Sequence, residues 1–253
     1  SLTNRARAYS LRIESMDELA HTYSSKTFPI LVTLLKDSQE DPPLRYRAAQ
    51  KLVEIDGTRA VRTLREIVDN QSEDPFARRT SLALLVEKDE GAVVGVRQKI
   101  LAILDDRSED AALRQYALGL YGAWDDPGKV QKLRDFVDSK KETLGMKTNA
   151  LFILESLEDL EFVSSAVHRF LKDKGTPQEL RKNCVIMAER LGDPEALPLL
   201  GGIARDRDES STLRQLALGT LGRMGNDATI NDLEGMLRSE SNVTIRQTIQ
   251  SAI

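Results

Sequence analysis

The chain has 253 residues, 30% of them charged and 5% aromatic, with a formal net charge of −4 and a sequence pI of about 5.5. That balance suits a helical protein better than a sandwich or a disordered chain, and it argues against broad nucleic-acid binding outside a local basic patch. A single cysteine, Cys184, excludes an internal disulfide and a multi-cysteine zinc site, and no apolar run approaches the ~18 residues of a membrane span.

Residues 1–25 read as an N-terminal helical cap. Within them Leu11-Arg12 opens a pattern that returns in phase as Leu44-Arg45, Ala77-Arg78, Leu113-Arg114, Met146-Lys147, Leu180-Arg181, Leu213-Arg214 and Ile245-Arg246. From Leu44 onward the spacings are 33, 36, 33, 34, 33 and 32 residues. Leu11-Arg12 lies 33 before Leu44, although its flanks match poorly. Residues four, eight and eleven beyond each anchor are mostly apolar (Ala48, Leu52 and Ile55; Ala117, Tyr121 and Trp124), which is one helical face.

An amphipathic helix is predicted before each anchored one, in chain order over 28–37, 60–69, 96–106, 130–139, 163–173, 196–206 and 230–239. Asp41-Pro42 and Asp74-Pro75 place an N-cap acceptor before a proline at the first helical position. Thr176-Pro177-Gln178-Glu179 reads as a capping box. Asp56-Gly57, Asp125-Asp126-Pro127, Gly192-Asp193-Pro194 and Gly225-Asn226-Asp227 read as the turns between hairpins. No segment has the period-2 pattern of a strand. Two such helices cannot bury their apolar faces alone, so the hairpins must shield one another in a row. The expected fold is all-α, an α-solenoid of about seven helix–turn–helix repeats, running as one continuous domain over 26–253 with its last repeat incomplete.

These residues resemble the HEAT repeats, and "GDPEALPLL" (192–200) is similar to the HEAT-like repeats of the phycobilin lyase group. The resemblance implies a kinking proline in the first helix, matched by Pro29 and Pro198, each 16 residues before its arginine, Arg45 or Arg214. It also implies a structural ladder between repeats. Its aspartate slots are Asp37, Asp106, Asp173 and Asp206, eight before the basic residue, with Asn70 and Ser139 filling the same slot less well. Its basic slots are Arg45, Arg78, Arg114, Lys147, Arg181, Arg214 and Arg246. A planar guanidinium can bond a carboxylate and a helix-end carbonyl at once. The resemblance further places the anchored helices on the concave side.

A search for chemistry nominates no catalytic residue. His21 and His168 fall in unrelated repeats without His-Glu or His-x₃-His spacing, so no metal ligand set and no cofactor are expected. Cys184 lies on the apolar face, as a packed thiol does. The basic run Arg45, Arg47, Lys51, Arg59, Arg62, Arg65, Arg78 and Arg79 is interleaved with Glu54, Asp56, Glu66 and Asp69 and reads as a self-neutralising face. Gly119 and Gly122 recur as Gly219 and Gly222 inside anchored helices, a sign of close packing or of partner contact. "LLGGIARD" is expected to be a weak helix for the same reason.

Opposite the core face, the positions two beyond the anchors carry Tyr46, Arg79, Gln115, Thr148, Lys182 and Gln215, and Phe152 lies farther along. They form either a mildly amphipathic groove for a peptide or helix, or the edge of a wider core. The function expected is a non-catalytic scaffold binding a protein or peptide partner. The alternatives are a chromophore lyase or lyase subunit of the phycobilin lyase type and a nucleic-acid-binding HEAT-like protein. The pI disfavours nucleic acid, and no membrane insertion is expected. A cytoplasmic monomer or a fragment of a longer chain is expected, with a removed signal peptide left open, because the sequence begins at Ser1 and ends inside the last anchored helix.

Overall fold

The structure is a computed structural model and describes residues 9–21, 26–88 and 93–253. These residues form α-helices joined by short loops, with no strand among them. They fall into two compact units, residues 1–124 and 125–253. The sequence reading ran one domain over 26–253. A row of hairpins in which each touches its neighbours divides at a connection between hairpins, and here that connection is the turn after Trp124.

The first unit contains α1 (Tyr9–His21), α2 (Thr27–Lys36), α3 (Pro42–Ile55), α4 (Gly57–Asp69), α5 (Pro75–Lys88), α6 (Val93–Asp105) and α7 (Ala111–Gly122). α2 pairs with α3, α4 with α5 and α6 with α7, while α1, α3, α5 and α7 pack side by side in that order. The second unit contains α8 (Lys129–Asp138), α9 (Leu144–Ser156), α10 (Leu160–Lys172), α11 (Gln178–Leu191), α12 (Leu197–Arg205), α13 (Ser211–Met224), α14 (Asp227–Ser239) and α15 (Val243–Ala252). Its hairpins are α8/α9, α10/α11, α12/α13 and α14/α15, and α9, α11, α13 and α15 stack in sequence.

The anchor periodicity is realised as burial. The residue four beyond each anchor is sealed from solvent: Ala48, Ser81, Ala117, Ala150, Cys184, Ala217 and Ile249. Most of these are small, which lets the neighbouring helix approach closely. Leu52, Leu85, Tyr121, Leu154, Ala188 and Leu221, eight beyond, are buried too, whereas Ile55, Leu157 and Leu191, eleven beyond, are half-buried at the edge of the face.

The helix starts follow one rule. A short polar side chain three residues before the anchor accepts the anchor's N–H: Asp74 from Ala77 at 3.1 Å, Asp110 from Leu113 at 2.8 Å, Thr143 from Met146 at 3.3 Å, Ser210 from Leu213 at 3.2 Å and Asn242 from Ile245 at 3.1 Å. α3 and α11 begin without a side-chain cap. The capping box expected at Thr176–Glu179 does not form. Pro177 takes the N-cap position, Thr176 Oγ1 donates backward to Asp173 at 3.2 Å, and Glu179 pairs with Lys182. The prolines do not kink helix interiors either. Pro29 lies in the first turn of α2, and Pro198 opens α12 behind a 3-10 turn at Pro194–Ala196, where a missing N–H leaves no bond unmade. Gly192 closes α11 at φ +60°, the left-handed conformation a non-glycine residue resists.

Candidate functional site

Charged side chains join the hairpins through a repeated buried rung. Each ladder base turns back to the carbonyl that ends the first helix of its own hairpin. Arg45 Nε donates to Leu35 O at 2.9 Å, Arg78 Nη2 to Val68 O at 2.9 Å and Arg114 Nη2 to Leu104 O at 2.7 Å. In the second unit Lys147 Nζ reaches Val137 O at 2.6 Å, Arg181 Nη2 Leu171 O at 3.2 Å and Arg214 Nε Ala204 O at 2.9 Å. Arg246 Nη1 donates to Leu237 O at 2.8 Å and to Glu240 O at 3.0 Å. These carbonyls are among the last four of a helix, which have no intrahelical donor.

The acid opposite is not the aspartate eight residues upstream. It comes from the next loop: Asp74 for Arg45, Glu109 for Arg78 (2.5 and 2.6 Å), Glu209 for Arg181 (2.7 and 2.8 Å) and Glu240 for Arg214. Arg12 of α1 pairs with Glu40 in the same manner, so the pair with poorly matching flanks makes the acid half of a rung. The slot aspartates instead shape the loops, accepting the N–H two residues on: Asp37 from Gln39 at 3.0 Å, Asp106 from Ser108 at 2.9 Å, Asp173 from Gly175 at 2.9 Å and Asp206 from Asp208 at 3.0 Å. Two of them also reach the preceding loop, Asp106 through Gln71 Nε2 at 2.9 Å and Asp206 through Lys174. The sequence reading missed these acids, yet they carry a signal: the Glu-Asp pair of "SQED", "QSED" and "RSED" recurs ahead of α3, α5 and α7 and supplies Glu40, Asp74 and Glu109.

The basic run dissolves by the same logic. Arg45 and Arg78 belong to rungs, Arg47 and Lys51 meet Asp17 of α1 at 3.3 and 3.0 Å, and Arg59 lies 4.1 Å over the Phe28 ring. Of the acids expected to neutralise it, Glu54 meets Lys51 at 2.6 Å, but Asp56 caps α4 and Asp69 meets Lys99 at 2.5 Å.

The candidate partner-binding residues fall into two groups, one in each unit. In the first, Tyr46 and Arg79 line an open pocket of about 360 Å³ with Pro42, Pro43, Phe76, Thr80, Ala83 and Tyr116, spanning α3, α5 and α7. Gln115 is half-buried beside Tyr116 in α7. Tyr46 is 40% exposed, and the Arg79 guanidinium stands 5.7 Å from the Phe76 centroid. Burial pushes the Tyr116 phenol above its ordinary value. In the second unit Asn183 Nδ2 donates to Thr148 Oγ1 at 3.2 Å, and Lys182 is held by Glu179 at 2.8 Å. Phe152 lies under Arg190, which pairs with Glu155 at 2.9 Å. Farther along, Arg223 binds Glu189, holding its carboxyl below the usual range, and Ile186 is 41% exposed. Gln215 is half-buried, and a methyl group built on Gly219 would lie 3.3 Å from Arg223 Nη1.

His168 and Ser164 of α10 both face Asp193 Oδ2, at 2.8 and 2.7 Å. Burial alone would raise the Asp193 carboxyl, but the Ser164 hydroxyl, the Glu195 N–H and His168 outweigh it and hold it low. The hydroxyl donates to the carboxylate rather than to the imidazole, so this trio ties α10 to the turn before α12 and does not activate a nucleophile. Burial pushes the Cys184 thiol up to about 12. Among the described residues no three His, Cys, Asp or Glu side chains gather as a metal would need, and the side chain of His21 lies outside them.

Each unit is thus a stack of amphipathic helical hairpins joined by buried rungs, the defining build of α-solenoid repeat proteins. Residues 170–253 match the family model of HEAT repeats, and the upstream hairpins have the same two-helix unit. The X-ray structure of YibA from Escherichia coli is similar at 15% identity over 98% of this chain and 87% of that one, with a TM-score of 0.53, a likeness of fold. Human deoxyhypusine hydroxylase in complex with glycerol (16% identity, 99% and 91% covered, TM-score 0.42) is similar more loosely. So is the complex of CpcE and CpcF of phycocyanin lyase from Nostoc sp. (17% identity, 100% and 93% covered, TM-score 0.38). At those scores neither bears on what this chain does. No curated protein matches the sequence. Among the described residues no helix is long and apolar enough to cross a membrane.

Proposed function

We propose that this helical repeat scaffold is non-catalytic and binds a protein or peptide partner along its anchored helices. One observation carries the reading. The rungs take up most of the buried charges, while the outward faces of the same helices keep apolar side chains in solvent, Tyr46 in the first unit and Ile186 in the second. Apolar side chains ringed by polar ones on a rigid repeat suit partner contact, with a few anchors supplying most of the affinity. The test is affinity capture from native lysate with the wild-type chain and with a combined Arg79→Glu, Gln115→Glu, Lys182→Glu and Gln215→Glu variant. These side chains are exposed or half-buried, so the fold should persist. The variant is expected to lose the partners that the wild type retains. Unchanged recovery would remove the reading.

A further inference from the structure

We propose that the pocket across α3, α5 and α7 is a docking site for an extended, proline-bearing acidic segment of a partner protein. The inference rests on the scaffold reading and names the partner's chemistry at one place.

Three observations lead to it. First, Tyr46, Phe76 and Tyr116 come from three successive anchored helices and line one open pocket with little polar wall. Rings set on parallel helices make an apolar surface with ridges, the kind that receives proline rings of a polyproline II segment. Second, such a segment has no internal hydrogen bonds, so its carbonyls need donors from the host. Tyr46 and Tyr116 carry phenolic O–H groups at the pocket, and a phenol is a neutral donor at physiological pH. Third, Arg79 is exposed, and no carboxylate stands within ion-pair distance of it among the described residues. Its neighbour Arg78 holds Glu109, and Arg45 one hairpin away holds Asp74. The buried ladder bases carry acids of their own, whereas Arg79 stands unpaired at the rim of this pocket, so a carboxylate on the occupant can meet it, and a guanidinium takes a carboxylate with two parallel bonds.

The experiment is a selection of random short peptides, displayed on phage, against the full chain. Enriched clones are expected to carry proline together with Asp or Glu. Their affinity is expected to fall about tenfold for Arg79→Glu, less for Arg79→Gln, and about tenfold for Tyr46→Ser. Lys140→Glu and Arg238→Glu in the second unit, exposed and outside the candidate binding faces, are expected to leave it unchanged. Circular dichroism of each variant guards against loss of fold. Clones unaffected by the Arg79 and Tyr46 changes overturn the proposal, as do clones with basic residues or with apolar residues at helical spacing. Clones lost only with Lys182→Glu or Gln215→Glu also overturn it, yet leave the scaffold reading standing. Enrichment of no clone overturns it too, and the lysate capture then decides separately whether the scaffold reading survives.

Discussion

Cys184 fills a slot that alanine holds in α3, α7, α9 and α13, so its thiol is a packing group. With its pKa pushed up to about 12, it is protonated at working pH. The native chain is expected to take up no thiol reagent at pH 8 and one equivalent per chain in denaturant, read by absorbance with a chromogenic disulfide. Rapid native labelling would contradict this packing. Glu109 shows the opposite burial problem, solved by pairing. Arg78 holds its carboxyl below the usual carboxylate range, and both side chains are within a few per cent of full burial. Glu109→Ala would leave Arg78 with a buried, uncompensated charge and is expected to cost about 3–5 kcal/mol in urea denaturation at pH 7. A loss below about 1 kcal/mol, the size of an exposed pair, would mean the rung is solvated.

At the scale of the helix, two interior glycines of anchored helices, six residues beyond the anchor in α7 and nine beyond it in α13, differ in surroundings. A methyl group built on Gly119 of α7 meets no atom within 4 Å, whereas on Gly222 of α13 it would lie 2.7 Å from the Ala252 carbonyl oxygen and 2.8 Å from its Cα. Gly119→Ala should therefore stabilise by about 0.5–1 kcal/mol through helix propensity. Gly222→Ala should destabilise by about 1–3 kcal/mol by driving α15 off α13. Thermal midpoints moving in opposite directions would bear this out, and movement in the same direction would not. One rung also lacks its usual partners. Lys147 stands where most hairpins have arginine, Thr176 stands where the next loop usually has glutamate, and burial lowers the Lys147 pKa. Restoring both groups should show favourable coupling. A double-mutant cycle of Lys147→Arg and Thr176→Glu is expected to give about 1–2 kcal/mol beyond the sum of the single changes. Additive single effects would mean that α9 and α11 sit too far apart for the pair.

Over the whole molecule, the repeat was legible because burial follows the helical period at Ala48, Ala117, Ala150 and Ala217, and a period survives in a single sequence. The rungs were half legible. Arg78 shows as a periodic base, but its acid lies 31 residues downstream in another hairpin, and nothing in local spacing says which acid a folded neighbour presents. The pocket at Tyr46 was legible as a row of equivalent positions on successive helices (Tyr46, Arg79 and Gln115) and not as a pocket, since Phe76 and Tyr116, which also line it, stand outside that row. The same placement of acids between hairpins sets the response to pH. Lys51 holds Asp17 low, Arg78 holds Glu109 low, Arg223 holds Glu189 low, and the Asn242 N–H with Arg214 holds Glu240 low. A carboxylate whose folded pKa lies below its unfolded value of about 4 contributes stability that is complete above that value and is lost as pH falls through the folded pKa. The urea midpoint should thus be nearly flat from pH 7 to about 5.5 and fall steadily below about 4.5. Glu109→Ala should start lower and fall less over the acid range, because one of the titrating links is already gone. A wild-type midpoint that held or rose below pH 4.5 would mean that the paired acids between hairpins contribute no net stability.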